Sequence, residues 1–323
     1  MMVSAQYTVM PAAVQRLPLA VAPMYNRPMC QNALIQVLPD TQLSLSHTLD
    51  CGQCFRWIPV DDGAWEGIVQ GRCFRLRQRD IANPESPIYT DPLLNDYFDL
   101  ALDYRQIKEG LSRIDPHMAL ACRYAPGIRI LRQEPWEALC SFIISQNNNI
   151  KRIRLIIERL SDRYGASVSG TSRHAFPSAQ SLAGASDGDL RALGTGFRAP
   201  YIIDAATKVA NGDVGLERLS TAPMEEARAC LMRIYGVGPK VADCALLYGF
   251  HRLEAFPMDV WMKRVMSSHF PNKDCGCFGQ YAGIAQQYLF HFERTGGTNL
   301  KDASAERGAS VEGAASVEGG TDR

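Results

Sequence analysis

The segment Ile234-Tyr235-Gly236-Val237-Gly238-Pro239-Lys240-Val241-Ala242-Asp243-Cys244 sets a lysine just beyond a Gly-x-Gly turn. Pro239 suits the first position of a helix, because its missing N–H has no partner there in any case. Gly236, Val237 and Gly238 therefore read as a tight connection between helices over 223–233 and 239–249. Such a hairpin turns backbone N–H groups and the positive end of a helix toward a phosphate. It grips a nucleic-acid backbone without reading bases. Three roles are open to Lys240: a solvated cap residue, a further phosphate contact, or a nucleophile. Cys244 and Tyr248 follow at i+4 and i+8, on about the same helical face. If that face lines a pocket, desolvation and the helix N-terminus both favour the neutral amine. A neutral lysine amine forms Schiff bases with carbonyl-like carbons. On this stretch alone the solvated, phosphate-contacting lysine is the reading of choice, since glycine hairpins also occur in non-catalytic modules.

Asp259, nineteen residues past Lys240, stands in Phe256-Pro257-Met258-Asp259-Val260-Trp261, which marks another helix start with Asp259 as its N-cap. Capping alone accounts for that aspartate. Beside Lys240 it has a second use. A carboxylate held ionised at a helix N-terminus stabilises a developing cationic sugar, and cleavage of an N-glycosidic bond passes through such an oxocarbenium-like state. An attacking lysine and a stabilising carboxylate form a sufficient minimal set.

These residues need a scaffold, and the hydrophobic pattern predicts an α+β one. Residues 28–85 read as a small antiparallel β-sheet: "ALIQVL", "TQLSLSHTL", "CFRWIPV", "WEGIVQ" and "CFRLRQ" are short alternating runs separated by Gly turns. From about 91 the period becomes helical, with helices expected over 91–99, 104–112, 116–124, 135–145, 150–164, 199–210, 223–233, 239–249, 260–269 and 278–292. Asp115-Pro116 and Glu134-Pro135 mark two of the starts. The expected organisation is a flexible leader over 1–27, a β-rich domain with following helices over 28–130, a mostly helical domain containing the helix-hairpin-helix over 131–293, and a disordered tail over 294–323.

Net charge is zero, so binding to a polyanion has to come from local patches. Residues 147–163 supply one, with five basic and two acidic side chains. The ten cysteines, including Cys51-x-x-Cys54 and Cys275-x-Cys277, sit in no finger- or ribbon-like frame, and the six histidines show no ligand spacing. No metal is expected. No apolar run is long enough to span a bilayer, so no membrane partner is expected and the reduced thiols point to an intracellular protein. The acid-free leader with its two arginines is a faint organellar hint. The compartment stays open between cytoplasm or nucleoid in a bacterium and nucleus or mitochondrion in a eukaryote.

"GVGPKVADC" followed by "FPMDVW" resembles the helix-hairpin-helix, Gly/Pro-rich loop and catalytic aspartate (HhH-GPD) signature of the base-excision DNA glycosylase superfamily. "GQCFRW" (52–57), "LRQEPWEALCSFIISQNNNIKRI" (131–153), "GFRAPYI" (196–202) and "YAGIAQQYLF" (281–290) narrow the resemblance to the 8-oxoguanine DNA glycosylase/AP lyase family, in that family's order over roughly 30–292. The resemblance implies a bifunctional enzyme that acts on double-stranded DNA as a monomer. It would release 8-oxoguanine, and formamidopyrimidine-type oxidised purines, and then cleave the strand by β-elimination.

Under the resemblance Lys240 is the Schiff-base nucleophile and Asp259 the essential carboxylate. The Gly52 carbonyl accepts the N7 hydrogen that distinguishes the oxidised base from guanine. Gln286 meets the Watson–Crick edge, Phe290 stacks on one face of the base and Cys244 on the other. Asn147, Arg152 and Arg198 hold the estranged cytosine, and Phe197 is the aromatic wedge in the DNA stack where better-known members carry Tyr. Trp261 stands for a His and Tyr248 for a Met, which leaves open the opposite-base preference and the hold on the flanking phosphate. The four-cysteine iron–sulfur loop of a sister branch is missing, and Cys275 and Cys277 do not supply it, so no cofactor is implied. From the residues alone Gly52 is a turn glycine, Phe290 a core residue and the arginines surface charge. Two other functions compete. A glycosylase of the same superfamily with another damaged base is opposed by Lys240. A non-catalytic hairpin DNA-binding protein is opposed by Asp259, Gln286 and Phe290.

Overall fold

The computed structural model describes residues 43–60 and 62–296. The leader over 1–27, the expected strand "ALIQVL" and the tail from 297 onward lie outside the described residues. A short helix α1 (Leu45–Leu49) leads into a three-stranded antiparallel sheet of β1 (Trp57–Pro59), β2 (Ala64–Val69) and β3 (Arg72–Arg77), in the order β1-β2-β3. Val69 pairs with Arg72 across the two-residue turn Gln70-Gly71. Helices follow for the remainder: α2 (Pro87–Thr90), α3 (Pro92–Tyr97), α4 (Tyr104–Ser112), α5 (Pro116–Tyr124), α6 (Pro135–Ser145), α7 (Ile150–Tyr164), α8 (Ala179–Ala183), α9 (Asp187–Ala192), α10 (Ala199–Ala210), α11 (Met224–Leu231), α12 (Pro239–Gly249), α13 (Val260–His269) and α14 (Ala282–Arg294). The arrangement is the expected α+β one, and among the described residues no helix is long and apolar enough to cross a membrane.

Caps explain why the helices start where they do. Asp115 accepts from the His117 N–H ahead of Pro116, Glu134 from Glu137 N–H ahead of Pro135, and Asn149 from Arg152 N–H at the start of α7. Two expectations need correction. "TQLSLSHTL" is not a strand at Leu45–Leu49 but a helix, because Ser44 caps it through His47 N–H and Leu45 and Leu49, four apart, are both fully buried. Each buried leucine stabilises by roughly 1.5–3 kcal/mol, and alternation every second residue also satisfies the i, i+4 spacing of one turn. The last helix does not run unbroken from 278: Cys275–Tyr281 is a 3-10 stretch containing Gly279 at φ +60°, and the α-helix begins at Ala282 and ends at Arg294, inside the span expected to be tail.

Two apolar clusters form the core. The sheet, α1 and α3 share one, around Leu45, Trp57 and Phe98; the other runs through the helices around Leu139, Leu247 and Leu289. Polar side chains join the sheet to α7. Glu158 on α7 receives Arg56 and Arg173, at 3.3 and 2.7 Å. The segment just before β1 is thereby fixed against the helices, and that segment carries Gly52.

Candidate active site

Asp259 sits at the N-cap of α13, where its Oδ1 accepts the Met262 N–H at 2.8 Å. Lys240 occupies the first turn of α12, one residue after Pro239. Both line one cleft of about 700 Å³, together with Gly52, Phe142, Trp261 and Phe290. A cavity of this size admits a nucleobase and its sugar. Lys240 and Asp259 face the same space without closing an ion pair, so the carboxylate is left to act on what enters the cleft. Lys240 is half-buried, and its Nζ lies 5.5 Å from the centroid of the Phe142 ring.

The hairpin before Lys240 is bound to its surroundings. Asp204 on α10 accepts the Tyr235 N–H at 2.7 Å and the Lys208 ammonium at 2.8 Å, and Lys208 also donates to the Arg233 carbonyl. Gly236 has φ +78°, and a Cβ there would fall 2.4 Å from the Tyr201 ring, so only glycine fits. Val237 is buried, and Gly238 caps α12 with no side-chain acceptor. The first-turn N–H groups of α12 therefore keep no side-chain partner, which is the condition for gripping a phosphate.

Gly52 also lines the cleft, at φ +92°, with room for a Cβ 3.5 Å from Ile150 and 3.7 Å from Phe290. The position is conformationally rather than sterically selective. Gly52→Ala is expected to cost about 1–2 kcal/mol of stability from the left-handed backbone alone. Urea denaturation would measure it, and an unchanged midpoint would show that the backbone there is not held.

Two of the sequence-derived residues lie one layer behind the cavity surface. Cys244 is buried below Lys240; burial pushes its thiol up, with Lys240 the nearest opposing charge. Gln286 is also buried, and its amide donates to the Pro257 carbonyl at 3.3 Å. Phe290, four residues on, is at the surface of the cleft.

The remaining four gather at a second place. Arg198 is buried and covers the exposed Phe197 ring at 4.3 Å. Its guanidinium donates to the carbonyls of Gln146, Asn147 and Thr195, so four of its five N–H groups are engaged by backbone. Burial and the neighbouring Arg152 both push the Arg198 pKa down. Asn147 is exposed at φ +48°, and Arg152 reaches the Gly194 carbonyl at 3.4 Å. Arg198 carries the exposed ring, and the exposed Arg152 beside it is the freer guanidinium for an acceptor-rich or anionic partner.

Sequence reasoning missed Phe142, Ser145, Asn148 and Arg294 as lining residues. Phe142 lies in the apolar run "SFII", where no local signal separates a cavity wall from core. The histidines are also less isolated than their spacing suggested. His117 and His269 stack face to face at 3.6 Å and 7°, and His117 Nε2 lies 2.8 Å from Glu293. His117 on α5, His269 on α13 and Glu293 on α14 each bring one nitrogen or oxygen ligand atom within 4.8 Å of the others, a cluster that the sequence spacing did not show. Cys51 and Cys54 are buried thiols whose pKa values burial raises.

Two family models match the chain: the N-terminal domain of 8-oxoguanine DNA glycosylase over residues 36–139, and the HhH-GPD superfamily base excision DNA repair protein over residues 140–275. The N-glycosylase/DNA lyase of Saccharomyces cerevisiae is 32% identical over 261 residues, which span 70% of this chain and 68% of the yeast protein. A solved structure described as MBOgg1 in complex with a low-affinity DNA ligand is 39% identical, with a TM-score of 0.72 over 79% of this chain and 93% of the other. The 8-oxoguanine glycosylase/lyase of Clostridium acetobutylicum, solved with double-stranded DNA containing cytosine opposite 8-oxoguanine, is 33% identical, with a TM-score of 0.69 over the same shares.

Proposed function

The chain belongs to the 8-oxoguanine DNA glycosylase family of the HhH-GPD base excision repair superfamily, and from that premise we propose how its own residues excise 8-oxoguanine from duplex DNA and then cleave the strand. The observation that carries the proposal is the meeting of Lys240 and Asp259 in one cleft with Gly52 and Phe290.

The oxidised base turns out of the duplex into the cleft. Phe290 stacks on it, and the backbone carbonyl of Gly52 accepts its N7–H. Guanine offers an acceptor at N7, and acceptor against acceptor leaves a buried group unsatisfied, at a cost of about 1–3 kcal/mol. The lone pair of the Lys240 amine forms a bond to C1′ as the C1′–N9 bond breaks. The departing base keeps that electron pair and takes up a proton, and the lysine nitrogen loses one. Asp259 offsets the positive charge that grows on the sugar. Opening of the sugar ring gives an imine between Lys240 and C1′. Loss of a 2′ proton from it expels the 3′ phosphate, which is the lyase step.

Asn147, Arg152, Phe197 and Arg198 belong to the complementary strand. With Arg198 largely engaged by backbone, its role is to hold the 146–147 turn and the Phe197 ring in place, and Arg152 and Asn147 offer the freer donors. Every group invoked is a side chain or backbone atom of one chain, which supports a cofactor-independent monomer. The test is incision of a duplex with one 8-oxoguanine opposite cytosine beside the same duplex with guanine. Strand cleavage of the first alone is expected. Cleavage of neither or of both alike overturns the proposal.

A further inference from the structure

Tyr248 on α12 and Gln287 on α14 are both buried, outside the cleft, 39 residues apart in sequence. The Tyr248 hydroxyl donates to Gln287 Oε1 at 2.6 Å, and Gln287 Nε2 donates to the Cys51 carbonyl at 3.3 Å. A backbone carbonyl only accepts, so the amide must turn its NH2 group toward Cys51 and its oxygen toward the phenol. The peptide held this way is the one that enters Gly52. The peptide leaving Gly52 leads to a residue that is clamped as well. The Gln53 carbonyl accepts from Gln133 Nε2 at 2.7 Å, its side chain donates to the carbonyls of Thr48 and Arg129 at 2.9 and 2.8 Å, and its Oε1 accepts the Leu131 N–H at 2.9 Å. Gly52, the residue with the widest backbone freedom, is suspended between two fixed neighbours.

We propose that Tyr248 and Gln287 are positioning residues that set the direction of the Gly52 carbonyl and so determine the specificity for an N7–H purine. The proposal deepens the function given above and rests on it. A purely packing role is the competing account, but an apolar side chain would fill the Gln287 position without burying an amide that needs two partners. Tyr248 has a further connection: its ring stacks on Phe142 at 5.1 Å and 19°, and Phe142 lies under Lys240. One relay thus touches two parts of the cleft, the one that reads the base and the one that attacks the sugar.

The two activities separate the accounts, because a preformed abasic site has no base to read. Single-turnover excision of 8-oxoguanine opposite cytosine and β-elimination at an abasic site opposite cytosine are measured for native, Gln287→Leu and Tyr248→Phe chains. Excision by Gln287→Leu is expected to fall roughly 10–100-fold, the effect of freeing one buried carbonyl from its donor, with a smaller fall for Tyr248→Phe. Cleavage of the abasic site stays near native in both. Tyr248→Phe keeps the ring against Phe142, so it carries the test even where the glutamine variant folds poorly. Native-level excision in both variants, or an equal loss on the two substrates, overturns the proposal. A native chain that does not excise 8-oxoguanine at all overturns the function beneath it instead.

Discussion

Replacing Lys240 by glutamine is expected to abolish the covalent adduct that borohydride traps between this protein and a duplex carrying 8-oxoguanine opposite cytosine. Borohydride reduces an imine to a stable secondary amine, so the adduct reports the Schiff base itself and not binding. Glutamine keeps a polar side chain in the first turn of α12, where Pro239 at the first helical position and the backbone of Gly236 to Gly238 set the local structure without help from residue 240. The variant should therefore still bind DNA through the hairpin while giving no adduct and no lesion-dependent incision. A different nucleophile would leave the adduct undiminished in Lys240→Gln. Absence of an adduct with the native chain would remove the lysine mechanism altogether. The three roles that Lys240 could fill from sequence alone separate in this one comparison, since neither a cap residue nor a phosphate contact makes a bond to carbon.

Local signals made part of this legible. The helices at 104–112, 116–124, 135–145, 150–164, 199–210, 239–249 and 260–269 stand where the sequence puts them, because a capping side chain or a proline at the first position is a statement about its own neighbours. Lys240 and Asp259 belong to the same class: each is placed by its own helix start, and the fold has only to bring two helix N-termini together. The shorter elements had no such advantage. Ala179–Ala183 and Asp187–Ala192 are five and six residues long, capped by Ser178 and Ser186, and too brief to show a period. The left-handed backbone of Gly52 and its suspension between Cys51 and Gln53 come from Gln133, Gln287 and Arg129, residues 76 to 236 positions away. No local pattern carries such distances, and a glycine in a turn looks the same whether or not its carbonyl is aimed.

The zero net charge is resolved in the same way. Within 147–163, Glu158 is taken up by Arg56 and Arg173, Asp162 stays exposed with His174 Nδ1 at 3.2 Å, and Arg154 pairs with Asp50. Lys151, Arg152, Arg159 and Arg163 remain exposed. Glu158 is turned to structure, and of the exposed bases Lys151 lines the cleft and Arg152 adjoins Arg198. A neutral chain can therefore carry a basic contact surface of the kind that phosphate binding requires.

Asp259→Asn separates charge from capping. Asparagine is as good an N-cap as aspartate, and its side-chain oxygen can still accept the Met262 N–H that Asp259 accepts at 2.8 Å. Helix α13 and the cleft wall should survive, and affinity for a duplex holding an uncleavable abasic-site analogue should change little. Turnover on 8-oxoguanine is expected to fall roughly 10²–10³-fold, the scale of losing one preorganised electrostatic partner of a transition state. Asp259→Ala is the companion variant. It loses the charge and the cap together, so it should be about 1 kcal/mol less stable yet no less active than the asparagine variant. Single-turnover incision and thermal denaturation of the three chains decide the matter. If the aspartate served only to start α13, Asp259→Asn would work at the native rate and only Asp259→Ala would suffer. If the carboxylate faces a growing positive charge at C1′, both variants lose turnover alike while their stabilities differ.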